Sequence, residues 1–120
     1  MRKEMIAMSV VVLLAGVAVP MQATAKRLVG VIAGVDVQGP VTLRLTSRGS
    51  EAATVRTDEK TAYMKWVTHR PWQQNERVTT SALGQGRCVE AEMSDNNVAR
   101  VVRVSDEPAG SVFDPCRDRR

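Results

Sequence analysis

Beyond residue 25, apolar and polar residues alternate with a period of two along most of the chain. Val29, Val31, Ala33, Val35 and Val37 fall on one face of an extended segment, which ends at Gln38, Gly39 and Pro40. This is the pattern of a strand, whose successive side chains point to opposite sides. Val41, Leu43 and Leu45 alternate with Thr42, Arg44 and Thr46, and Ser47-Arg48-Gly49-Ser50 has the composition of a hairpin turn. A third strand is predicted from Ala52 to Thr57 with Ala53 and Val55 inward. Asp58-Glu59-Lys60 interrupts it, and Thr61 to Met64 extends the pairing beyond. Val89, Ala91 and Met93 restart the alternation, Ser94 to Asn97 supplies a tight turn, and the last strand runs from Val98 to Val104. There Val98, Arg100, Val102 and Val104 share one face and Ala99, Val101 and Arg103 the other, so both sides carry apolar residues. Lys65 to Thr80 has neither period, Thr80 to Leu83 fits one helical turn, and no helix of three turns is predicted.

An all-β domain of five short strands cannot bury much as an open sheet, and its edges would stay free to pair with other chains. Closure into a small barrel answers both problems, and the glycines at 30, 34 and 39 would let the first strand bend around two sides. Five strands with one insertion between the third and fourth is the arrangement of an OB-fold. The expected organisation is therefore one OB-like barrel over residues 26–105 and a tail over residues 106–120. A small sandwich and an up-and-down barrel are the competing all-β solutions.

The first 25 residues change the picture of location. Arg2 and Lys3 precede an apolar run from Met5 to Val19, Pro20 ends it, and Ala23-Thr24-Ala25 has the small-x-small form of a signal-peptidase site. As a helix that run would rise about 22 Å, short of the ~30 Å hydrocarbon core. Residues 1–25 thus read as a cleaved signal peptide, and the mature chain as periplasmic or secreted. Lys and Arg number 17 against 13 Asp and Glu; without the leader, 15 remain against 12, a net charge of +3. That is far from the dense positive field of a dedicated nucleic-acid binder. Both cysteines, Cys88 and Cys116, lie in the mature part, and in an oxidising compartment an even count predicts a disulfide. Such a bond would hold the tail on the barrel.

Four stretches follow in order: Gly30-Val31-Ile32-Ala33-Gly34-Val35, then Val55 to Thr61, then Leu83 to Glu90, and a closing Ala99-Arg100-Val101-Val102-Arg103-Val104. This order of features resembles a family of small exported bacterial OB-like domains of unknown function. The residues that carry the likeness are turn glycines and inward valines, so the resemblance implies a fold and no chemistry. It covers Leu28 to Val104; the cysteine pair and the aromatic insertion depart from it. A weaker resemblance is to the periplasmic copper- and silver-binding OB-fold chaperones, in which methionines, a histidine and a tryptophan converge on one barrel face. Here Met64, Trp66, His69 and Trp72 lie within nine residues, in a different order and spacing.

Candidate chemistry concentrates in that insertion. Tyr63 to Trp72 holds the only Tyr, the only His and both Trp of the chain. Tyr63, Trp66, His69 and Trp72 form the expected binding surface, because function collects on loops carried by a rigid scaffold. Met64, His69 and Trp66 are the alternative, a Cu(I) or Ag(I) site built from thioether, imidazole and indole; otherwise no cofactor is expected. The blander reading is that the tryptophans plug a barrel end and the histidine is solvated. With one His, no Gly-x-Ser-x-Gly and no Cys-x-x-Cys, no catalysis is expected. Glu90 and Glu92 read as the solvated side of a strand, and Arg117 to Arg120 as a solvated tail. Arg44, Arg56, Arg100 and Arg103 could follow phosphates, but export disfavours nucleic acid. An envelope protein or an anionic envelope component is the expected partner.

Overall fold

In the computed structural model, which describes residues 26–73 and 76–120, the alternating segments become six strands. They are β1 (Lys26–Asp36), β2 (Thr42–Ser47), β3 (Ser50–Arg56), β4 (Ala62–Lys65), β5 (Cys88–Met93) and β6 (Ala99–Val104). Single 3-10 turns occupy Pro71–Gln73 and Thr80–Ala82. The domain is all-β, and the predicted leader, residues 1–25, lies outside the described residues. Among the described residues no helix is long and apolar enough to cross a membrane.

All six strands join one sheet in the order β3-β2-β1-β5-β6-β4, antiparallel except for β4 against β6. Two expectations are corrected here: the ladder is open, not a closed barrel, and it has six strands, not five. Both corrections trace to Asp58-Glu59-Lys60. These residues make a turn in which Lys60 N donates to Asp58 Oδ1 at 2.9 Å and Thr61 N to Asp58 O at 3.1 Å. The turn cuts the predicted third strand in two and sends its halves to opposite edges of the sheet. Thr57 and Thr61, both buried, fasten the turn at each end. The Thr57 hydroxyl donates to Val41 O and the Thr61 hydroxyl to Ala99 O, each at 2.7 Å. An isolated parallel bridge, Arg56 to Val98, links the end of β3 to the start of β6. Beyond β4 the chain returns, and Arg77 bridges back to Met64 as a seventh extended segment.

The sheet curls around a single apolar cluster that includes Ile32, Leu43, Leu45, Val55, Val89, Ala91, Val102 and Val104. Val41, Leu43 and Leu45 face it as the alternation predicts, and so do Val55, Val89, Ala91 and Met93. In β1 the assigned face is corrected. Its register against β2 skips Ala33, a bulge that adds one residue and flips the face beyond it. Leu28, Gly30 and Ile32 therefore turn inward before the bulge and Val35 after it, while Val37 is 66% exposed. A second bulge at Arg100 explains why the last strand is apolar on both sides: Ala99 is buried before it, Val102 and Val104 after it.

Candidate functional site

Cys88 opens β5, and Cys116 of the tail joins it in a disulfide with a Cα–Cα distance of 5.6 Å. The predicted bond is thus present, and its sulfurs are buried. From Ser105, whose N–H donates to Cys88 O at 2.9 Å, the tail runs as successive turns rather than as free chain. Asp114 organises them. Its carboxylate, 1% exposed, accepts from Gly110 N at 2.7 Å, from Cys116 N at 3.0 Å and from Arg120 Nε at 2.6 Å. Burial alone would raise its pKa, but the hydrogen bonds from Arg120, Gly110 and Cys116 and the Arg120 charge together hold it below the ordinary aspartate value.

Residues 117–120 are exposed, as expected of a solvated tail, but they are also tied down. Arg120 is bound to Asp114, and the carbonyls of Asp118 and Arg119 accept from Arg48 Nε and Arg48 N in the β2–β3 hairpin turn. Glu90 and Glu92 also differ from expectation: their side chains are only 16% and 15% exposed, and they pair with Arg103 and Arg100. The arginines proposed to follow phosphates on this face are therefore engaged by carboxylates.

The aromatic insertion leaves β4, and its base is held by Lys65 N donating to Glu76 O at 2.8 Å and by Trp66 N donating to Val104 O at 3.0 Å. The structure gives the sequence-predicted site residues different surroundings. Tyr63 packs against the apolar core. Met64 is half-buried and sits opposite Arg103 on β6. Trp66 lines a hollow of about 290 Å³ with Arg27, Glu90 and Arg103. His69 lies elsewhere, stacked on Phe113 of the tail with ring centroids 3.8 Å apart and planes at 14°. Its Nε2 is 3.7 Å from Glu107 Oε2, and its Nδ1 is buried without a hydrogen-bond partner among the described residues. The expectation of a solvated histidine does not hold: the insertion is one half of an interface whose other half is the tail.

Trp72 is the opposite case. At 75% exposure it plugs nothing, which corrects the packing reading of that residue. Val112 at 71% and Phe113 at 46% are exposed on the tail that docks against the same insertion. Sequence reasoning did not single out Phe113, Glu107 or Asp114. The signal was the composition of Pro108 to Cys116, where Gly, Ser, Asp and two prolines mark ordered turns as readily as a loose tail. The cluster of Cys88, Cys116 and Asp114 has the proximity of a ligand set, but its sulfurs are bonded to one another. No protein-family model matches the chain, and no curated protein or solved structure is significantly similar to it.

Proposed function

We propose that the protein is an exported, non-catalytic binding or accessory module of the bacterial envelope. In this reading its contact surface is the 63–72 insertion together with the tail docked on it. One observation carries the reading: the large apolar side chains left exposed on this unit, Trp72, Val112 and Phe113, sit on two segments held together by the His69–Phe113 stack. Exposed aromatic residues on rigid supports are the usual anchors of protein contacts. The disulfide suits an oxidising compartment. We also propose an OB-like connectivity, from the parallel β4–β6 pairing and the Arg56–Val98 bridge between the end of β3 and the start of β6. The non-catalytic assignment is supported by the fate of the reactive residues: both cysteines are oxidised, and the one histidine contacts Phe113 and Glu107.

The test is site-specific photo-crosslinking in envelope extracts, with the probe at position 72, at position 112, or at the exposed Val37 as a control. The expected result is the same discrete adduct from 72 and 112 and none from 37. Equal labelling from all three positions would overturn the surface assignment. The competing soft-metal reading is tested by Ag(I) titration. Saturable one-to-one quenching of tryptophan fluorescence that is lost in Met64→Ala would replace a partner surface with a metal site.

A further inference from the structure

We infer that the opposite end of the sheet carries a binding groove for a small amphipathic anion, a phosphate or carboxylate head attached to an apolar body. The groove has a volume of about 490 Å³ and runs between the start of β1, the end of β3 and the β5–β6 turn. β1 and β3 are not neighbours in the ladder, so the groove exists only because the sheet curls. Its size falls in the range of small-molecule sites, roughly 300–1,000 Å³. Its chemistry is divided. Lys26 and Arg56 are exposed at its rim, and neither has a carboxylate partner among the described residues. Thr54 and Asn97 supply a hydroxyl and an amide beside them, while Leu28 and Met93 form an apolar floor continuous with the core.

Among the described residues no acidic side chain lines this groove, and that sets it apart from the hollows below. Three smaller hollows on the molecule each include a carboxylate: Asp58, Asp58 with Glu59, and Glu90. Arg100, Arg103, Arg120 and Lys65 are all matched to acids. Two unmatched cations over an apolar floor favour an anionic head, which takes charge-assisted hydrogen bonds from Lys26 and Arg56, and a body that removes Leu28 and Met93 from water. The backbone holds these groups in place. Lys26 pairs with Met93 in the ladder, and Arg56 bridges Val98, next to Asn97. Asn97 itself takes a left-handed conformation, φ 63°, in the turn closed by its N–H on Ser94 O.

The test is an amide-resolved NMR titration of the oxidised protein with phenyl phosphate, inorganic phosphate and benzyl alcohol. Phenyl phosphate should give saturable shifts at Leu28, Thr54, Arg56 and Asn97, with inorganic phosphate weaker and benzyl alcohol silent. The Lys26→Gln/Arg56→Gln double variant changes only exposed charges; it should fold normally and bind about tenfold or more weakly, as loss of charge-assisted hydrogen bonds implies. Arg77→Gln, an exposed cation outside the groove, should bind as the parent does. Co-sedimentation with phosphatidylglycerol vesicles, lost in the double variant, would place the anion on a lipid headgroup. Phenyl phosphate binding without vesicle binding would place it on a soluble molecule. Absence of saturable shifts at these amides, or shifts that survive the double substitution, would overturn the site.

Discussion

At the scale of single residues, Asp114 is the clearest case of a side chain whose surroundings set its behaviour. A buried carboxylate is costly unless donors replace the water it gives up, and three protein groups do so here. Because its folded pKa lies below its unfolded one, it contributes stability that is complete above the ordinary aspartate value of about 3.9. Below that pH the unfolded chain binds the proton first, and the contribution is lost as pH falls through the depressed folded value. Urea unfolding as a function of pH should therefore show acid destabilisation. Asp114→Asn should remove that part of the slope and cost about 1–3 kcal/mol at neutral pH, through imperfectly matched donors. An unchanged acid limb would mean that other carboxylates dominate it. None of this was legible in the sequence, where Asp114 is one acid among charged and turn-forming residues. His69 was legible as unusual, but not the ring it stacks on, since Phe113 lies 44 positions away.

At the scale of elements, the alternation revealed which segments are strands more reliably than it revealed which way they face. β2 and β5 are free of interior bulges on their core-facing residues, so period two gave their buried side directly. β1 and β6 each contain a bulge, at Ala33 and Arg100, and one added residue inverts the pattern beyond it. A row of valines looked like an inward face, whereas the residue that leaves room at the close approach is Gly30. A Cβ there would lie 3.0 Å from both Leu45 Cβ and the Thr46 carbonyl oxygen, and neither can withdraw without moving β2. At Gly34 the added carbon would meet the guanidinium of Arg44, the far end of an exposed and flexible side chain. Gly30→Ala should therefore cost about 1–3 kcal/mol as an overpacking change, and Gly34→Ala about 0.5 kcal/mol or less, like other surface substitutions. Paired urea denaturation curves check the order. Equal costs would show that β2 adjusts more freely than its pairing on both sides implies. The Thr57-Asp58-x-x-Thr61 run was visible as an interruption; its role, to carry one strand from the β2 edge to the β6 edge, depended on partners at Val41 and Ala99.

At the scale of the whole molecule, the tail acts as a strap across parts of the sheet that have few other links. It bonds to β5 through Cys116, to the insertion through Phe113 and Glu107, and to the β2–β3 hairpin through the carbonyls of Asp118 and Arg119. A sheet whose ladder is open gains from such a strap, because its terminal strands otherwise separate at the cost of one edge each. The Cys88–Cys116 bond spans a sequence separation of 28, and closing a loop of that size removes unfolded-state entropy worth about 3–4 kcal/mol. A Cys88→Ser/Cys116→Ser variant should lose stability on that order, and limited proteolysis should then cut first between residues 105 and 120, ahead of any strand. Reduction of the native bond should be slow, since both sulfurs are buried and the Asp114 carboxylate beside them disfavours a thiolate. The order of events distinguishes a strap from a core staple. If the tail is a strap, its cleavage precedes loss of the β-sheet circular dichroism signal, and the Trp72 surface changes while the Lys26–Arg56 groove persists. Simultaneous loss of tail and sheet would make the disulfide part of one cooperative core, and the two proposed surfaces would then stand or fall together.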